Sequence, residues 1–257
     1  MRFRFGRNWL DFSRTVTAAE VEVARRSLLQ GLDVESLEQK RFLDIGSGSG
    51  LFSLAAWQGG ASEVKSFDFD GDSVKCTEEM RKRFAPEAGN WQIEQGSVLD
   101  APYMQALGKF DVVYSWGVLH HTGDMWTAIE AAAERVAKDG HLFIAIYNDQ
   151  GLLSEYWKCV KWLYNRAPLL QPALITAYYP YFVLLRKAVR ILRRKRSLER
   201  GMSYYYDMVD WLGGYPFEVA TPDQLTSFLA MRGFRLQKLR AVRWSSSGCN
   251  ELIFRKN

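Results

Sequence analysis

Residues 41–58 read RFLDIGSGSGLFSLAAWQ. RFLDIG (41–46) has the apolar run of a buried strand ending in glycine, and LFSLAAWQ (51–58) starts a helix at once. Glycines at 46, 48 and 50 fill the join. Glycine after a buried strand permits a tight turn and lets a ligand approach the backbone closely. The next strand, EVKSFDFD (63–70), carries Asp68, 22 residues after Gly46. A carboxylate in that register can accept both hydroxyls of a ribose.

Strand and helix alternate on either side of this stretch. AAEVEVARRSLLQ (18–30) reads as an amphipathic helix and SVKCTEEMRKRF (73–84) as a helix with acids ahead of bases. NWQIEQGSVLD (90–100) holds a third strand and KFDVVYSWGVLHH (109–121) a fourth. DMWTAIEAAAERVAKDG (124–140) reads as a helix stopped by its glycine, and HLFIAIYN (141–148) as a fifth strand. This spacing predicts βαβ units and a parallel sheet. From residue 152 the chain turns long, helical and aromatic, broken by Pro168, Pro172 and Pro180. TPDQLTSFLAMRGF (221–234) is a helix with Thr221 as N-cap, and FRLQKLRAV (234–242) and CNELIFRK (249–256) are closing strands. The expected fold is α/β: a doubly wound, mostly parallel seven-stranded sheet with helices on both faces. An α-helical insert separates strands five and six. The expected divisions are an N-terminal helical segment or lid (1–40), a cofactor-binding core (41–151), an insert (152–215) and a completion of the core sheet (216–257).

Composition narrows the class. The 257 residues are 47% apolar and 25% charged, which excludes collagen-like, coiled-coil and wholly disordered chains. Cys76, Cys159 and Cys249 are widely spaced and odd in number. They offer neither a disulfide framework nor zinc spacing, so no metal and a cytoplasmic setting are expected. The start, MRFRFGR, has no apolar run after its basic residues, so no secretory leader is expected. The net charge of +5 is local, because RKAVRILRRKRSLER (186–200) holds eight bases and one acid. That stretch alone is +7, leaving −2 for the rest, which points to a localised anionic partner.

The glycine spacing discriminates between nucleotides. Dinucleotide binders favour G-x-G-x-x-G, which seats a pyrophosphate on a helix N-terminus. Here G-S-G-S-G follows Asp44, and an acid at the loop mouth suits the cationic amino-acid end of S-adenosylmethionine (SAM). At these residues the sequence resembles the class I SAM-dependent methyltransferases, of small-molecule type. LDIGSGSG (43–50) is similar to their first motif, FDFD (67–70) to their second, GSVLD (96–100) to their adenine-contacting segment and FDVVYSWGVLHH (110–121) to their motif after strand four. The resemblance covers about residues 40–150 and the last three elements. It implies that Gly46, Ser47 and Gly48 line the methionine moiety and that Asp44 orients its amino group. It further implies that Asp68 holds the ribose, that Phe69, Ser97 and Val98 meet the adenine, and that Trp116 reaches the cofactor.

His120 and His121 follow strand four, at the carboxyl edge where open sheets bind ligands. Imidazole is a general base near neutral pH, so both are candidate catalytic residues, with His121 preferred. The alternative is that one braces the loop and the other meets the cofactor. The family's exocyclic-amine methylases carry an Asn/Asp-Pro-Pro-aromatic tetrad here, and this chain has SWGV (115–118). The expected reaction is methyl transfer to oxygen of a small or lipid-like acceptor. RNA modification, or SAM binding without turnover, is the alternative. Arg7, Trp9, Tyr147, Tyr205 and Trp211 are the candidate acceptor-binding residues. Arg7, Trp9 and Phe12 equally fit a helix on the sheet edge. PLLQPALITAYYPYFVLL (168–185) lacks any charge and runs into the basic stretch. Residues 168–200 therefore fit a cap over the site, then an anionic membrane surface, with nucleic acid third.

Overall fold

The computed structural model describes Trp9, Ser13 and residues 16–185, 204–242 and 248–257. Arg7, Phe12 and the basic stretch 186–200 lie outside the described residues.

Seven strands form one sheet: β1 (Arg41–Ile45), β2 (Glu63–Asp68), β3 (Trp91–Gln95), β4 (Phe110–Trp116), β5 (Val136–Tyr147), β6 (Phe234–Arg240) and β7 (Cys249–Lys256). Their order is β3-β2-β1-β4-β5-β7-β6. The first five run parallel, and β7 enters antiparallel between β5 and β6. The doubly wound sheet expected from the sequence is therefore present, with one antiparallel hairpin at its end. The order of strand addition reverses between β1 and β4, and the carboxyl edge at such a switch point is where open sheets of this kind take ligands.

The pleat of β1 decides what lies on each face. Leu43 and Ile45 join the core on one side with α5 (Met125–Glu134) and α9 (Pro222–Ala230). Phe42 joins the opposite core with α1 (Ala18–Leu32), α2 (Leu51–Gln58) and α3 (Gly71–Phe84). Strict alternation therefore sends Asp44 toward α2. Thr221 caps its helix as the sequence signals. Thr17 and Glu20 form a capping box on α1, and Thr221 and Gln224 form one on α9. A short helix, α4 (Ala101–Ala106), follows β3 with Asp100 as its N-cap.

One element departs from expectation. The helix expected over 124–140 ends at Glu134, and β5 begins at Val136. Val136 pairs with Phe110, and the strand then shifts register so that His141 pairs with Val112. The Asp139-Gly140 pair makes this bulge rather than a helix stop. Asp139 takes a φ of 61°. A side chain on Gly140 would stand 2.8 Å from the Asp111 carbonyl oxygen. Only glycine admits that approach between strands.

The insert follows β5 as α6 (Leu152–Arg166), α7 (Gln171–Tyr179) and α8 (Tyr204–Gly213). Trp157, Val160, Tyr164, Phe182, Met208, Leu212 and Phe217 form its own apolar core. Pro168 ends α6 and Pro172 sits in the first turn of α7, where a missing N–H costs least.

Candidate active site

Three residues of the β1–α2 join have left-handed backbone: Gly46 (φ 77°), Gly48 (φ 54°) and Gly50 (φ 75°). A side chain on Gly46 would lie 2.5 Å from the Val118 methyls, and one on Gly50 2.9 Å from Thr77 Cα. The loop is pinned from outside. Gly46 and Ser47 donate to the Phe67 carbonyl at 2.8 and 3.1 Å. The hydroxyls of Ser47 and Thr77 meet at 3.0 Å. The result is a preset, tightly packed backbone turn at the sheet's carboxyl edge.

Two carboxylates flank the loop in different states. Asp68 receives the Gly48 N–H at 3.0 Å and the Asp70 N–H at 2.9 Å, one on each oxygen. Asp44 lies beneath the loop, almost fully buried. Its Oδ2 accepts from the Ser53 hydroxyl at 2.5 Å. Ser53 accepts from Ser66 at 2.7 Å, which accepts from the Trp91 indole at 2.8 Å. Burial raises the Asp44 carboxyl to about 7. The Ser53 hydrogen bond opposes that rise, and the nearby Asp68 charge adds to it.

The residues expected around the adenine divide. Phe69 is 54% exposed, an open apolar ring beside Asp68. Ser97 caps its own turn, accepting from the Leu99 N–H at 3.2 Å. Val98 points its side chain into the core, so only its backbone faces that edge. Trp116 lies across Ala145 and donates to Glu251 at 3.1 Å, consistent with the register Trp116–Ala145–Glu251. Trp9 packs against the loop itself: a side chain on Gly48 would stand 3.2 Å from its indole. The Cys76 thiol donates to the Trp9 carbonyl at 3.2 Å.

The second cluster forms where β4 and β5 end. Gly117 turns the chain, and Leu119–His121 make one tight helical turn. The rings of His120 and His121 are 4.4 Å apart, and His120 lies 4.1 Å from Tyr147. Trp211 and Phe217 each lie 5.3 Å from the Tyr147 ring. Four expected site residues (His120, His121, Tyr147 and Trp211) thus converge. Tyr205 falls on α8, one element of the same insert. His120 is fully buried, with Nδ1 facing the Tyr147 N–H at 3.4 Å and no described hydrogen-bond partner at Nε2. Burial holds its imidazole well below the ordinary histidine range, and His121 and Lys161 push the same way. His121 Nδ1 lies 2.6 Å from the Pro216 carbonyl oxygen.

Sequence reasoning missed three members. Lys161 is fully buried, donates to the Trp211 carbonyl, and holds its ammonium 4.2 Å from the Trp211 ring centre and 4.8 Å from Phe217. A lysine on the apolar face shared by Trp157, Val160 and Tyr164 was the available signal. Glu218 receives the N–H groups of Gly123 and Met125 at 3.0 and 3.2 Å, and its own N–H binds the His120 carbonyl at 3.0 Å. Ser53 carries no sequence signal of its role, since its pairing with Asp44 is tertiary. Among the described residues no group of His, Cys, Asp or Glu could hold a metal ion.

A family model described as a methyltransferase domain matches residues 36–173. The chain belongs to that family. Curated relatives include the ribosomal protein L11 methyltransferase of Dictyoglomus thermophilum, 35% identical over 132 residues. That match takes in 51% of this chain and 38% of the relative. The chain spans 25–38% of the length of the curated relatives it matches. Among solved structures, magnesium protoporphyrin IX methyltransferase from Synechocystis PCC 6803, with bound S-adenosylhomocysteine, superposes with a TM-score of 0.55 at 15% identity. The superposition covers 95% of this chain and 89% of that one. A cyclase, SpnF, superposes with the same TM-score of 0.55 at 12% identity, covering 90% and 80%. The methyltransferase-domain fold thus carries more than one chemistry, and function must be argued from the site.

Proposed function

We propose that this protein transfers a methyl group from SAM to an oxygen of a small or lipid-like acceptor. The observation that carries the reading is the loop Gly46–Gly50, left-handed at its three glycines, flanked by Asp44 and Asp68 and bordered by Val118, two residues before the His120–His121 pair. The residues present fit SAM: a strand–loop–helix join whose glycines admit no side chain, an acid able to take hydroxyls, and an exposed ring beside it. SAM supplies an activated methyl group, so no covalent step on the protein is required.

The chain's own residues bind, orient and move a proton. Gly46, Ser47 and Gly48 would line the amino-acid end, and Asp44 below them would offer a charge complementary to an ammonium. Asp68 uses its remaining lone pairs for the ribose hydroxyls. Phe69, Ser97 and the Val98 backbone would meet the base, and Trp116 and Trp9 would border the cofactor. His121 is the general base. A carbonyl can only accept, so the Pro216 oxygen fixes the proton on Nδ1 and leaves Nε2 to take a hydroxyl proton. His120 stays neutral and braces the base. Tyr147, Trp211 and Lys161 form the acceptor wall, with Arg7 and Tyr205 as further candidates.

The test is incubation with methyl-labelled SAM and fractionated cell extract. Label in the small-molecule or organic fraction, released by alkaline hydrolysis of a methyl ester or identified by mass spectrometry as a methyl ether, supports the oxygen acceptor, and label found on nitrogen or carbon overturns it. Label confined to protein or RNA overturns that acceptor and leaves methyl transfer standing. The curated relatives' names make a protein acceptor the second reading. Absence of label together with absence of SAM binding overturns the whole proposal.

A further inference from the structure

The insert exposes an apolar surface that the site does not use. On α6, Leu152 is 90% exposed and Tyr156, one turn on, is half-exposed. Both lie on the side opposite Lys161, whose face packs toward α8. Trp162 is also half-exposed. In the turn after α6, Leu169 is 95% exposed and Leu170 is partly so. Helix α7 (QPALITAYY) has no charged residue and no buried residue. Tyr181 and Leu184 continue the exposed series beyond it, while Phe182 and Val183 anchor that turn in the insert's core. The Tyr156 and Tyr178 hydroxyls bond to each other and tie α6 and α7 into one surface.

Such a surface is anomalous for a face bathed in water. A soluble helix normally buries an apolar stripe and exposes charge. Here an uncharged helix packs Leu174, Ile175 and Tyr178 only partly against the insert's core, and its neighbours present leucine and aromatic side chains to the outside. Among the described residues no helix is long and apolar enough to cross a membrane. The adjoining sequence indicates the chemistry of the occupant. Directly after Leu185 come eight bases and one acid within fifteen residues. Leucine, tyrosine and tryptophan adjoining clustered Lys and Arg is the composition that partitions into the interface of an anionic bilayer. A nucleic acid would be met by the bases but would have no use for Leu152, Leu169 and Leu170.

We propose that the exposed face of α6, α7 and the turn between them docks on the surface of an anionic lipid bilayer. The apolar side chains enter the headgroup boundary and the adjoining basic sequence is attracted by lipid charge. The docking does not depend on methyl transfer. It requires only the folded insert.

The experiment is co-sedimentation of the full chain with vesicles of phosphatidylcholine alone or with one-third phosphatidylglycerol, at low and high salt. Binding is expected to the anionic vesicles and to fall with salt. The double substitution Leu169→Glu with Leu170→Glu should weaken vesicle binding on the order of tenfold or more, because it adds negative charge where apolar contact is lost. Both sites are exposed, and an unchanged near-ultraviolet circular dichroism spectrum verifies the fold. No vesicle binding by the wild type at low salt overturns the proposal. So does equal binding by the double variant, which leaves the basic stretch acting alone. Binding to RNA with none to vesicles assigns the surface to nucleic acid, and a dimer abolished by the double variant assigns it to a second copy. Either result replaces the bilayer.

Discussion

His121 Nδ1 stands 2.6 Å from the carbonyl oxygen of Pro216, 95 residues further along the chain. The bond joins the loop after β4 to the segment returning from the insert. The same junction is held by the Glu218 N–H on the His120 carbonyl, at 3.0 Å. The histidine tautomer is therefore set by how the insert closes on the core, and Nε2 is left as the basic nitrogen.

His121→Asn should lower turnover of the labelled acceptor by about a hundred- to ten-thousand-fold, the range for losing a general base. SAM affinity, read by calorimetry, should stay within about twofold. Unchanged turnover would remove His121 from proton transfer and leave catalysis to proximity alone.

Asp44 should give stability and cofactor affinity opposite pH dependences. Its folded carboxyl is raised to about 7, above an unfolded value near 4. Its contribution is then greatest below about pH 4, falls as pH rises, and is lost by about pH 7. Asp44→Asn removes this slope, so the variant should gain relative to wild type by a few kcal/mol, at most about 4, between pH 4 and 8. Ionisation favours an ammonium, so wild-type SAM affinity should rise between pH 6 and 8 and that of the Asn variant should not. Parallel affinity profiles would take Asp44 out of the cofactor site.

His120 works in the other direction. Its folded imidazole is held well below the ordinary value, so the unfolded chain takes up a proton first as pH falls. The stabilisation is present above about pH 6.5 and lost below it, with a slope approaching about 1.4 kcal/mol per pH unit. His120→Phe should flatten that limb in urea denaturation at pH 5 to 7. Lys161→Met should shallow it too, because the Lys161 charge lowers the His120 value. An identical acid limb in the His120→Phe protein would show that other groups govern it.

Asp68→Ala should weaken SAM binding by about 1–3 kcal/mol, the scale for leaving polar partners unmet. It also frees the Gly48 and Asp70 N–H groups. Calorimetry returning wild-type affinity would exclude Asp68 from the ribose contact.

Gly46→Ala meets two obstacles, a left-handed backbone and the Val118 methyls 2.5 Å away. The backbone part should cost about 1–2 kcal/mol. Adding Val118→Ala should recover the steric remainder and none of the backbone part. Full additivity of the two losses would mean that Val118 does not limit the loop.

The sequence by itself determined the sheet and the place of its ligand edge. RFLDIG, the glycines after it and Asp68 state their structure locally, because a buried strand, a left-handed turn and a capped helix each depend on neighbouring residues. Local rules also misled once. The Asp139-Gly140 pair reads as a helix stop, yet pairing of Val136 with Phe110 makes it a bulge inside β5. Tertiary structure alone decided the protonation of the site. Ser53 reaches Asp44 only because α2 packs on β1, Pro216 reaches His121 only because the insert folds back, and Lys161 meets its rings only at that junction. Those contacts join residues up to 95 positions apart, and the burial that shifts Asp44 and His120 comes from the assembled layers, which no local window of sequence contains.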